Sequence, residues 1–142
     1  MPVPAPNAAT ALRSLGRARR TLTLPTVLVV EDDAPLRAAL IAALSAQGYQ
    51  AMEAGDVAGA LAEIAAADVD VVLSDIGMPG DGYALLAQLR RLRPQVPVVL
   101  MTGIEEDDLG RRARDAGAYA YLVKPIRLSV LKRTLDDACH RA

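Results

Sequence analysis

Five residues able to do chemistry stand at the ends of apolar runs in this 142-residue chain. Glu31 and Asp32 follow "TVLVV", Asp75 follows "VVLS", Thr102 follows "VVLM" and Lys124 follows "AYLV". Asp75 raises the sharpest question. Burying an unpaired carboxylate costs several kcal/mol, so Asp75 is a solvated loop residue, a helix cap or part of a site. The other positions have ordinary roles open to them too: Asp33 as a helix cap, Thr102 before Gly103 as a turn residue, and Lys124 as a solvated charge.

Brought together, the same groups would suit phosphoryl chemistry. Crowded carboxylates repel unless a proton or cation intervenes. A ligand set of carboxylates and carbonyls, without clustered His or Cys, favours a hard ion, Mg²⁺ or Mn²⁺ over zinc. Lys124 and Thr102 then complement an anion that the metal also binds, and a phosphoryl group fits that description. Asp75 is the best nucleophile, because carboxylates form acyl phosphates. The turn after it, with Gly77, Gly80 and Gly82, lets backbone groups approach closely.

Elements that could position these groups are legible from Thr26 onward. Strand-like runs at 26–30, 50–54, 70–74, 96–101 and 120–123 alternate with helix-period stretches near 34–47, 56–67, 82–93, 105–116 and 127–140. Asp33 and Asp56 suit helix N-caps, Pro35 suits a first turn, and Gly48 and Gly117 suit helix ends. Strict alternation implies parallel strands with right-handed helical crossovers, a doubly wound α/β fold. In such sheets the ligand crevice lies beyond the carboxyl ends of the strands, where all five groups fall.

Composition narrows the class further. Four Tyr with no Phe or Trp leave a core of Val, Leu, Ile, Ala and Met, and argue against stacking platforms for single-stranded nucleic acid. No apolar run approaches the ~20 residues of a membrane span and the N-terminus lacks a signal-peptide core, so a cytoplasmic protein is expected. The single Cys139 forms no internal disulfide and reads as a helix-face residue. Residues 1–25, with three prolines in the first six positions and Arg13, Arg17, Arg19 and Arg20, read as a flexible tail or linker with room for a short helix over 8–19. Residues 27–142 carry 12 basic and 17 acidic groups, which argues against direct DNA binding by the folded part. His140, in the last helical turn, reads as a surface residue suited to the helix dipole.

The motifs "VLVVEDDAPLR", "VVLSDIGMPGDGYALL", "PVVLMTG" and "GAYAYLVKP", in this order at strand ends, resemble the receiver domain of two-component response regulators over residues 26–140. The resemblance implies a CheY-like, flavodoxin-like sheet of order 2-1-3-4-5 within a receiver domain at 26–142. It makes Asp75 the acceptor of a phosphoryl group from phosphohistidine on a sensor histidine kinase or histidine phosphotransfer protein. Asp32 would bind Mg²⁺ directly and Glu31 through water, with the Gly77 carbonyl as a further ligand. Thr102 resembles the switch hydroxyl, Lys124 the lysine that contacts the phosphoryl group, and Tyr121 the aromatic that reports phosphorylation. A cis Lys124–Pro125 peptide is implied as well.

The implied output is a population shift at the face of the fourth helix, fifth strand and fifth helix, read by a protein partner, in a monomer or a phosphorylation-dependent dimer. Such a domain assists its own phosphoryl transfer and hydrolysis without being an enzyme. The chain ends about one turn past its last helix, so a stand-alone receiver and a piece of a larger kinase or regulator are both open.

Three departures stand out. "MPGDGY" is one residue short between Pro79 and Gly82; "GAYAYL" lacks the paired acids of the winged-helix branch; and Gly77 and Ile104 occupy positions where a polar side chain can orient hydrolytic water. The last implies slow loss of phosphate. A receiver fold used as an interaction module without phosphate turnover is the alternative. A haloacid dehalogenase-type phosphohydrolase expects an aspartate where Gly77 stands, and G-x-x-G-x-G is not the dinucleotide fingerprint.

Overall fold

Period-two alternation along the strands assigns successive residues to opposite faces of the sheet. A computed structural model describes residues 24–77, 82–103 and 108–140. Its strands are β1 (Thr26–Val30), β2 (Gln50–Ala54), β3 (Val71–Asp75), β4 (Val98–Thr102) and β5 (Ala120–Val123), and its helices are α1 (Ala34–Ala46), α2 (Val57–Ala66), α3 (Gly82–Leu92), α4 (Leu109–Asp115) and α5 (Leu128–Cys139). All strand pairs are parallel and the order is β2-β1-β3-β4-β5, as the resemblance implies. The expectations for the tail, the shortened loop at 78–81, Ile104 and the start of the fourth helix lie outside the described residues.

Leu28, Val30, Val72, Val98 and Leu100 share one face with Ile64 of α2, Leu85, Leu86 and Leu89 of α3 and Ala113 of α4. Val27, Val29, Val71, Leu73, Val99 and Met101 share the other with Leu44 of α1 and Leu131 and Leu135 of α5. The three central strands are thus apolar on both faces, which is why they read as continuous apolar runs. The aliphatic core expected from the composition also takes in Tyr49, which is buried and donates its hydroxyl hydrogen to Asp136 of α5.

Local chemistry sets the element ends. Asp33 accepts from the Leu36 amide (3.1 Å) and Asp56 from the Gly59 amide (2.7 Å), capping α1 and α2. Gly48 and Gly117 follow α1 and α4 at φ +95° and +98°, a region costly for residues with a Cβ. Two strands run one residue further toward the carboxyl edge than their apolar runs suggest, taking in Asp75 and Thr102. β4 also starts two residues later than expected, because Pro97 has no N–H to enter the ladder; its carbonyl accepts from Val72 (3.0 Å).

Candidate functional site

Parallel pairing aligns the strand ends along one edge. Asp75 is the last residue of β3 and sits opposite Met101, so Thr102 lies one position further along β4, paired with Val123. Lys124 follows immediately, and its amide donates to the Thr102 carbonyl (2.7 Å). Across the sheet Glu31 continues β1, its amide donating to the carbonyl of Ala54 (3.0 Å).

Side chains converge there. The Lys124 ammonium donates to Glu31 Oε1 at 2.7 Å and to Asp75 Oδ2 at 2.9 Å. The other Asp75 oxygen, Oδ1, accepts from the Gly77 amide at 2.8 Å. Glu31 is fully buried and Asp75 is 7% exposed, which removes the loop and cap readings of Asp75: it is a buried carboxylate held on both oxygens. Lys124 is likewise no solvated charge. The Lys124–Pro125 peptide is cis, as the resemblance implies.

The electrostatics follow from packing two acids around one base. Burial, together with the neighbouring carboxylate of Asp75, pushes the Glu31 carboxyl up to about 7 against the pull of Lys124. Burial acts to raise Asp75 also, but the neighbouring Glu31 carboxyl and the hydrogen bonds from Lys124 and the Gly77 amide outweigh it and hold Asp75 below the usual carboxylate range. For Lys124, burial opposes the ammonium, yet the two carboxylates win and raise its pKa.

This edge has the chemistry of a cation site. Glu31, Asp32 and Asp75 can each offer one carboxylate oxygen, all within 4.8 Å of one another. Glu31 Oε2 is a buried acceptor with no hydrogen-bond partner among the described residues, and the hydration shell of a hard cation suits such an oxygen. Asp32 is exposed, so the cluster is open to solvent on its side.

Two residues of the neighbourhood escaped the sequence reading. Arg37 of α1 donates from Nη1 to the Glu31 carbonyl (2.7 Å) and from Nε to Glu53 of β2 (3.3 Å); the only signal was its place at the end of "EDDAPLR". Gly110 is the other: it faces the ring of Tyr121, and nothing in a single sequence marks that pairing.

A family model for the response regulator receiver domain matches residues 27–136. The chain belongs to this family. Among relatives of this receiver domain, the DNA-binding transcriptional regulator NtrC of Rhizobium meliloti is 37% identical over 111 residues, covering 78% of this chain and 23% of that protein. The transcriptional regulatory protein PdtaR of Mycobacterium tuberculosis is 38% identical over 117 residues, covering 81% of this chain and 57% of that protein. The receiver domain thus spans less than two thirds of these relatives. In structure it is similar to the receiver domain of NtrX from Brucella abortus, with TM-score 0.76 and 30% identity over 82% of this chain and 99% of that one. The homology is consistent with phosphorylation-dependent two-component signalling, by a signalling domain and not an enzyme in the usual sense. Among the described residues no helix is long and apolar enough to cross a membrane.

Proposed function

We propose that this receiver domain is a phosphorylation switch in which Asp75 accepts a phosphoryl group from phosphohistidine on a sensor histidine kinase or phosphotransfer protein. The supporting observation is the convergence on Asp75: Lys124 within hydrogen-bond distance, the Gly77 amide on its other oxygen, and Glu31 and Asp32 within reach of a shared ion. One Asp75 oxygen attacks phosphorus, the P–N bond to the imidazole breaks, and the imidazole leaves with its electron pair and takes up a proton. The product is an acyl phosphate.

Lys124 stays beside the reacting oxygens, and its ammonium offsets charge that develops on them. Thr102, one step along the edge, supplies a hydroxyl to the phosphoryl group, and Tyr121 relays that movement toward α4, β5 and α5, where a protein partner reads it. Glu31, Asp32, Asp75 and the Gly77 carbonyl would hold Mg²⁺, or Mn²⁺ in its place. Bound there, the ion neutralises the phosphoryl oxygens. Hydrolysis of the acyl phosphate resets Asp75. The receiver domain occupies 26–142, with residues 1–25 as tail or linker, acting inside the cell as a monomer or a phosphorylation-dependent dimer.

Incubation with acetyl phosphate and Mg²⁺, followed by intact mass, tests this reading. One phosphoryl adduct is expected in the native chain and none in Asp75→Asn. Absence of any adduct in the native chain favours an interaction module that does not turn over phosphate.

A further inference from the structure

Arg37 occupies the first turn of α1, its own amide bonded to the Asp33 carbonyl (2.8 Å). From there its guanidinium reaches in two directions, 2.7 Å to the Glu31 carbonyl and 3.3 Å to Glu53 Oε1 of β2. A planar fork can do this, whereas an ammonium is a point donor. The side chain is only 20% exposed, while that of Glu53 is 59% exposed. Such a half-exposed ion pair adds little stability by itself; its use is to aim the guanidinium. Gly55 leaves the necessary room, since a Cβ there would lie 3.2 Å from Arg37 Nη1.

The bond to Glu31 matters because of what shares its plane. The Glu31 carbonyl and the Asp32 amide belong to one rigid peptide unit, so holding one holds the other. On its amide side Glu31 is pinned by Ala54 of β2; on its carbonyl side it is pinned by Arg37. Two of the three acids proposed to hold the cation, Glu31 and Asp32, are therefore carried on a segment tied to β2 twice, once directly and once through Arg37 and Glu53.

We propose that Arg37 is a positioning residue for the divalent cation, setting the Glu31–Asp32 peptide through its carbonyl without touching the ion. This rests on the reading of Glu31, Asp32 and Asp75 as the cation site. Outer partners that orient metal ligands commonly change affinity by about tenfold or more when removed.

Mn²⁺ titration of the full chain, followed by the electron paramagnetic resonance signal of free Mn²⁺, provides the test. In the native chain binding is expected, and Asp32→Asn should weaken it; failure of either overturns the cation-site reading itself. Given both, Arg37→Gln is expected to weaken Mn²⁺ binding by about tenfold with an unchanged circular dichroism spectrum. Arg37→Lys should recover only part of the loss. An Arg37→Gln affinity equal to native, or complete recovery by Lys, overturns positioning; the latter would leave charge alone as the cause. If Arg37→Gln does not fold, Glu53→Gln carries the test, with weaker Mn²⁺ binding expected and native affinity overturning the proposal.

Discussion

The ring of Tyr121 lies against the backbone of Gly110: a Cβ at that glycine would stand 2.9 Å from Cε1 of Tyr121 and 3.3 Å from its hydroxyl oxygen. The ring also packs on the core that joins α2, α3 and α4 to the sheet. A residue proposed to relay the state of Asp75 is thus seated on α4 at the one helix position that has no side chain to exclude it.

Gly110→Ala should therefore unseat Tyr121. Alanine favours the helix by about 1 kcal/mol over glycine, so little loss of stability is expected while the ring moves to another rotamer. The Tyr121 ring resonances, distinguishable from those of three other tyrosines, should shift with the melting temperature nearly constant. Unchanged Tyr121 shifts would contradict the contact.

At Gly82 the sign is opposite. A Cβ there would lie 2.6 Å from Ile76 Cα and 2.8 Å from the Asp75 carbonyl oxygen, and backbone cannot yield as a tyrosine ring can. Gly82→Ala should destabilise the domain by about 1–3 kcal/mol despite alanine's higher helix propensity, measured by urea unfolding. A stabilised variant would refute the close packing of α3 on the end of β3.

Slow dephosphorylation is expected from Gly77 and Ile104. A Cβ at Gly77 would begin 3.5 Å from Asp75 Oδ1, an ordinary contact, so a polar side chain fits beside the acceptor. Gly77→Asn combined with Ile104→Glu should speed loss of the phosphoryl group, by up to about a hundredfold if water is well oriented. Decay followed by intact mass decides; an unchanged rate removes the argument.

Acid should weaken the attachment of α5. Burial acts to raise Asp136, but its bonds with Lys132 (2.6 Å) and Tyr49 prevail and hold its pKa below the ordinary aspartate value of 3.8. Folding thus binds this proton less tightly than the unfolded chain does. The stability it contributes is present above that unfolded value and is lost as pH falls through the lower folded one. Asp136→Asn should flatten this acid limb in melting experiments run downward from about pH 4. Tyr49→Phe should cost about 1 kcal/mol at neutral pH.

How far the sequence reaches can be followed residue by residue. Asp33, Asp56, Gly48 and Gly117 act locally, through bonds within a few residues or through their own φ, and each was legible. So was the parallel α/β class, because apolar period and alternation are properties of the chain itself. Asp75 was legible as an anomaly: a carboxylate ending an apolar run has few places to go.

Contacts across elements were not legible in the same way. Lys124 meets Glu31 across 93 positions and Asp75 across 49, and only the stacking of β1, β3, β4 and β5 brings the three strand ends to one edge. Whether Asp75 was solvated, capping or buried turned on that meeting. The same holds for Arg37 and Glu53, Tyr121 and Gly110, and Tyr49 and Asp136. The sequence by itself determined which segments form strands and helices and which polar groups end them, since local sterics and burial period act along the chain. Only the tertiary structure decided which of those groups touch, since that depends on how the crossovers pack.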